Sequence, residues 1–182
     1  MSADESAPPR PGRTQYDLDA EYPYFYLSEN ISPTGRGVPA WSGMVAASAG
    51  KVKLLLPARV SRACVAIEVH CAAPAAALDD FDDAIEFGYP SATGACALLD
   101  WSSALVSDLP LLPDGPGDYR VRYHVRAAAG PGAHSLRHVA ALVQIWPGTC
   151  RELTELKITS AFGEFWHPGA GSRRPVGPRQ GC

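Results

Sequence analysis

The densest group of side chains able to do chemistry is the acidic run Leu78-Asp79-Asp80-Phe81-Asp82-Asp83-Ala84-Ile85-Glu86-Phe87. Carboxylates this close repel one another, and they become favourable where a cation or a basic protein surface neutralises them. Calcium takes hard oxygen ligands, but the run lacks the alternating aspartates and the glycine of a calcium loop. A plain solvated loop is the alternative with no function attached. As a functional feature the run points to a basic protein partner, with Asp79, Asp80, Asp82, Asp83 and Glu86 as the binding residues.

The opposite charge is concentrated in Arg120, Arg122, His124 and Arg126, which alternate with Tyr119, Val121, Tyr123 and Val125. Side chains two apart on a strand lie about 7 Å apart, close to a phosphate repeat, so the ladder makes a second candidate surface. Alternation alone also places polar groups on an outer face, where Glu68 or Glu86 on neighbouring strands can pair with them. Aromatic residues are not interleaved on that face, which argues against nucleic acid.

Other constellations fail on context. His134 and His138 have the four-residue spacing of a zinc-binding helix, but the general-base glutamate is missing and Gly130-Pro131-Gly132 upstream reads as a loop. His70, His124 and His167 do not form a close pair with a downstream glutamate. Ser42 is not in a nucleophile elbow, and Gly35, Gly37, Gly130 and Gly132 lack the lysine of a phosphate cradle. The sequence therefore implies no catalytic residues, no metal site and no cofactor. Trp41, Trp101, Trp146 and Trp166 read as core anchors.

These residues must be positioned by strands. With 17 prolines and 17 glycines punctuating short apolar runs, no helical period of useful length emerges. Strands are expected at 22–27, 44–47, 51–56, 63–70, 84–89, 96–101, 104–111, 117–126, 139–146 and 155–162. The clearest are Lys51 to Leu56, with Val52, Leu54 and Leu56 inward, and the hairpin from Gly117, with Tyr119, Tyr123 and Trp146 buried and Arg120, Arg122 and Arg126 exposed. The fold class is all-β: a single antiparallel β-sandwich of short strands spanning residues 14–168. Residues 1–13 and 169–182 are rich in proline, glycine, serine and arginine, and are expected to be flexible tails.

Sixteen basic residues nearly balance 19 acidic ones for a net charge of −3, so any charged recognition must be local. The start of the chain lacks the pattern of a signal peptide, and no apolar run reaches the length of a membrane span. Five cysteines, an odd number without metal-binding spacing, read as reduced thiols. Together these predict a cytoplasmic protein that does not engage membranes.

Trp41 ahead of Gly50-Lys51-Val52, the acidic Asp79 to Glu86, the strand Pro116-Gly117-Asp118-Tyr119-Arg120-Val121 and the ending Gln144-Ile145-Trp146-Pro147 resemble a family of small bacterial β proteins that includes the competence protein J type of nuclease inhibitor. The resemblance covers Thr14 to Pro147. It implies a non-catalytic protein-binding module, an inhibitor or immunity-type partner of a basic nuclease or similar toxin. The competing expectation is a small-ligand or metal-dependent enzyme with a pocket at one end of the sheets, where loops such as 127–137 would gather.

Overall fold

The computed structural model describes residues 12–29, 40–48, 50–57, 60–129, 136–149 and 151–169. These form β1 (Arg13–Ala20), β2 (Tyr24–Ser28), β3 (Ala40–Ser42), β4 (Val45–Ser48), β5 (Lys51–Leu55), β6 (Val60–Val69), β7 (Asp83–Ser91), β8 (Ala97–Leu99), β9 (Leu105–Asp108), β10 (Gly117–Ala129), β11 (Leu136–Pro147), β12 (Thr154–Ile158) and helix α1 (Ala161–Trp166). No helix among the described residues is long and apolar enough to cross a membrane. Most of residues 1–13 and 169–182, together with Gly35, Gly37, His134, Cys150 and Cys182, lie outside the described residues, as do the side chains of Trp41 and His138.

The strands make two six-stranded sheets. Sheet A has the order β1-β6-β11-β10-β7-β12, and sheet B the order β3-β4-β5-β2-β8-β9. Among the described residues the fold is all-β apart from one short helix, as the sequence predicts, but sheet A is mixed: β11 runs parallel to β6, with Val139 opposite Ala63. Alternation within a strand records which face is buried and nothing about the direction of a neighbour. No hairpin joins β6 to β11, so nothing local enforces an antiparallel pair.

Both sheets contribute to one buried cluster. Sheet A supplies Leu18, Val65, Ile67, Ile85, Phe87, Tyr89, Tyr119, Val121, Tyr123, Val143 and Ile145, and sheet B supplies Phe25, Leu27, Val52, Leu54 and Leu98. Tyr123 ties the two together. Its ring meets Phe25 edge-on at 6.2 Å and its hydroxyl donates to the Leu55 carbonyl at 2.7 Å, so a fully buried phenol keeps a partner.

Three local expectations change. Arg13–Ala20 is a strand that the sequence reading did not identify, with Leu18 and Ala20 buried. The strand expected over 155–162 ends at Ile158, because Ser160 caps α1 by accepting from the Gly163 amide at 3.0 Å. The strands flanking the loop expected at 127–137 run into it, since β10 continues to Ala129 and β11 starts at Leu136; residues 130–135 lie outside the described residues.

Candidate functional site

The acidic run is divided rather than gathered. Asp79 and Asp80 are exposed and Asp82 is half-buried, with its carboxylate accepting from the Ala127 amide at 3.3 Å. Asp83 begins β7 on the inward side of the alternation and is 1% exposed. It accepts from the amides of Thr159 and Ser160 at 2.9 and 3.0 Å, and from the Ser160 hydroxyl, and so anchors the start of α1. Gly163 is required beside it, because an added Cβ would stand 2.4 Å from Asp83 Oδ1.

Glu86 lies on the other face of β7, between two arginines. Its Oε1 accepts from Arg120 Nε and Nη2 at 3.0 and 2.8 Å, and its Oε2 from Arg122 Nε and Nη2 at 3.1 and 3.0 Å. The structure thus joins part of the acidic run to part of the basic ladder. Arg120 and Arg122, expected in solvent, are 7% and 8% exposed, and His124 is 0% exposed. Arg126 alone of the ladder is exposed. Trp146 is buried as expected, but on this same outer face, where the Arg122 guanidinium lies 4.8 Å from its ring centroid.

Register explains the burial. Arg13, Glu68, Gln144, Arg122, Glu86 and Thr154 stand opposite one another across all six strands of sheet A. Gln144 Nε2 donates to Glu68 Oε2 at 2.8 Å and Arg122 Nη1 donates to Gln144 Oε1 at 3.2 Å, so the row is a continuous hydrogen-bonded line from β6 to β7. His70 extends it, with Nε2 3.0 Å from Glu68 Oε2, while Glu68 Oε1 is buried without a partner. Burial raises the Glu68 pKa, but the hydrogen bonds from Gln144 and His70 and the charges of His70 and Arg13 outweigh it, so this carboxyl sits below its ordinary range.

Segment 71–82 lies over the row and closes it from water. The Pro74 carbonyl accepts from Arg122 at 2.9 Å, and the Leu78 and Phe81 carbonyls both accept from Lys157 Nζ at 2.7 Å. His124 holds the middle of the segment: Nδ1–H donates to the Leu142 carbonyl at 3.3 Å, and Nε2 accepts from the Ala77 amide at 3.3 Å. This pattern needs the neutral ring. Burial pushes the His124 pKa down to about 4; the Leu142 carbonyl opposes that and the Arg122 charge adds to it. Phe81 packs on the imidazole at 5.3 Å between centroids, over Ala66 and Leu142.

The outer face of sheet B is different in kind. Phe25 and Leu27 point into the core, so Tyr24 and Tyr26 point away from it, and Lys51 and Lys53 do the same opposite Val52 and Leu54. Register places Tyr26 beside Lys53. Lys53 Nζ lies 3.5 Å from the Tyr24 centroid and 5.9 Å from that of Tyr26, and Lys51 Nζ lies 4.5 Å from Tyr26. Two turns extend the aromatic line. Tyr22 precedes β2, and Trp101 is presented by a turn in which Asp100 Oδ1 accepts from the Ser102 amide, the Ser102 hydroxyl and the Ala104 amide. Successive centroids from Trp101 through Tyr22 and Tyr24 to Tyr26 are 4.7, 6.3 and 5.6 Å apart.

Tyr22 is 40% exposed, and Tyr24, Tyr26, Lys51, Lys53 and Trp101 are half-buried. Burial lowers the Lys53 pKa; burial, followed by the charge and hydrogen bond of Tyr24, raises that of Tyr26. The sequence reading did not propose this surface. Its signal was present in Tyr24-Phe25-Tyr26-Leu27 and Lys51-Val52-Lys53, but each stretch alone is an ordinary amphipathic strand. Among the described residues, no three histidine, cysteine, aspartate or glutamate side chains group as metal ligands.

No family model and no curated protein matches the chain. The solved structure titled "Crocagin biosynthetic gene J" shows a weak likeness, with 14% identity over 76% of this chain and 97% of that chain and a TM-score of 0.48. These findings provide no link to the competence protein J type of inhibitor, and that resemblance is corrected here. The residues that suggested it are glycine, tyrosine and tryptophan-proline positions that serve turns, strand ends and cores in many β proteins.

Proposed function

We propose that this chain is a protein-binding module built as a β-sandwich, and that the outer face of sheet B is its binding surface. The observation that carries the reading is the continuous line of Trp101, Tyr22, Tyr24 and Tyr26 with Lys51 and Lys53 seated on its rings. Tyrosine and tryptophan are enriched at protein interfaces because they present a large rigid area with few rotatable bonds. The nuclease partner rested on the corrected resemblance and is not carried forward. Asp79 and Asp80 remain a small accessory charge at the edge of segment 71–82. The free thiols of Cys64, Cys71 and Cys96 favour a reducing, cytoplasmic setting.

The test uses the full chain as bait in extract from its source cell, with crosslinking to retain weak complexes. A Tyr24→Ser/Tyr26→Ser variant should lose the captured protein while keeping the parent's circular dichroism spectrum. An Asp79→Asn/Asp80→Asn variant should retain it. Equal capture by the tyrosine variant and the parent would remove sheet B from the reading.

A further inference from the structure

We infer that the sheet B face takes a partner segment that pairs carboxylates with aromatic or aliphatic side chains; this rests on the protein-binding reading above. The charged side chains of the β2–β5 part of the face are Lys51 and Lys53, so its recognition chemistry is cationic on an aromatic floor. Toward the sheet edge, register places Tyr26 next to Leu99, which is buried, and Leu99 next to Leu105, which is 47% exposed on β9 and offers apolar surface there. A complementary surface therefore supplies negative charge over β5 and apolar contact over β2 and β9. A carboxylate meeting Lys51 or Lys53 finds an ammonium already partly withdrawn from water, with its stem packed on tyrosine, so less ordering and less desolvation remain to be done.

The same residue types, tyrosine with lysine on an open sheet, also serve single-stranded nucleic acid, and geometry separates the two. Base stacking requires the flat face of a ring. Here Lys53 Nζ stands 3.5 Å from the Tyr24 centroid and Lys51 Nζ 4.5 Å from that of Tyr26, so those ring faces are occupied by ammonium groups. The net charge of −3 adds no long-range attraction for a phosphate backbone. With lysine heads seated on Tyr24 and Tyr26, the β2–β5 part of the face suits carboxylates and apolar side chains.

The probes are a soluble random glutamate–tyrosine copolymer, polyglutamate, and single-stranded oligouridylate, each titrated into the isotopically labelled full chain and followed by NMR. The glutamate–tyrosine copolymer should shift Tyr22, Tyr24, Tyr26, Lys51 and Lys53 resonances, and polyglutamate should do so more weakly. Lys51→Ala/Lys53→Ala should weaken copolymer binding by roughly three- to tenfold and flatten its salt dependence, while Lys51→Arg/Lys53→Arg preserves it. Failure of the copolymer to bind this face, or equal binding by the alanine variant, would overturn the inference. Stronger binding of oligouridylate would overturn it in favour of nucleic acid. Loss of binding in Tyr24→Ser/Tyr26→Ser with none in the lysine variant would reject the acidic partner yet leave the protein-binding surface in place.

Discussion

Acidification should loosen this protein through one residue, His124. Its ring is 0% exposed and its pKa is pushed down to about 4. In the unfolded chain the same imidazole titrates near 6.5, so between these values the unfolded state holds the extra proton and stability must fall as pH falls. The contribution is complete above pH ~6.5, declines through the window and is exhausted below about pH 4. A separation of about 2.5 pH units corresponds to roughly 3 kcal/mol, a large share of the ~5–15 kcal/mol that holds a typical domain folded. Structurally, a proton on Nε2 turns the acceptor for the Ala77 amide into a second donor facing it, and places a positive charge near Arg122. The first region to respond should be segment 71–82.

Urea unfolding at several pH values between 7 and 4 measures the loss. Carboxylates also titrate in the lower half of that window, so the informative quantity is the difference between the parent and His124→Phe. The phenyl ring keeps contact with Phe81 and cannot titrate, and at pH 7 it sacrifices the hydrogen bonds to Ala77 and Leu142, about 1 kcal/mol each. It should begin less stable and then lose about 3 kcal/mol less than the parent on going to pH 4. Amide exchange at Ala77 should accelerate in the parent before global unfolding. Parallel pH profiles for the two proteins would refute the reasoning.

The remaining predictions concern the division of the acidic run and the seating of α1. Glu86→Gln should destabilise by about 3 to 5 kcal/mol in thermal or chemical unfolding, because it leaves the buried guanidiniums of Arg120 and Arg122 without a carboxylate. Asp79→Asn and Asp80→Asn should stay within about 0.5 kcal/mol of the parent. Asp83→Ala should cost about 2 to 4 kcal/mol by stranding the Thr159 and Ser160 amides, with protease cleavage near α1 as a local readout. Gly43→Ala should expel His167 from its site, since Gly43 has φ +62° and a Cβ there would lie 2.0 Å from the imidazole. Loss of the Met44 amide to His167 Nε2 bond, followed by the His167 ring resonances, would report it.

Period-two alternation was enough to assign the inward faces of β5, β6 and β10, because burial of Val52, Leu54, Val65, Ile67, Tyr119 and Tyr123 is decided within each strand. The same alternation contained a signal left unused. Across Asp83-Ala84-Ile85-Glu86-Phe87 it assigns Asp83 to the face of Ile85 and Phe87, and Glu86 to the opposite one, which already divides the acidic run. What local pattern could not supply was cover. Arg120 and Arg122 occupy the face predicted for them, and segments distant in sequence reach over it: the Pro74 carbonyl of segment 71–82 accepts from Arg122 and the Arg151 carbonyl from Arg120. The parallel pairing of β6 with β11 and the meeting of Tyr26 with Lys53 are likewise consequences of register between distant strands.

Within the two charged features that drew attention in the sequence, Glu86, Arg120 and Arg122 are committed to one another. Both oxygens of Glu86 are already taken by guanidiniums, and a partner that borrowed either group would leave a buried charge uncompensated, at a cost exceeding what a new surface ion pair returns. The polar row across sheet A is thus best understood as a register lock: a one-residue slip of β10 would exchange Arg122 for Tyr123 and leave Glu86 and Gln144 without their donor. The lysines of the proposed sheet B surface are held differently, by contact with tyrosine rings, an interaction worth about 0.5–2 kcal/mol, and disturbing it leaves no buried charge uncompensated in the way that breaking the Glu86 pairs would.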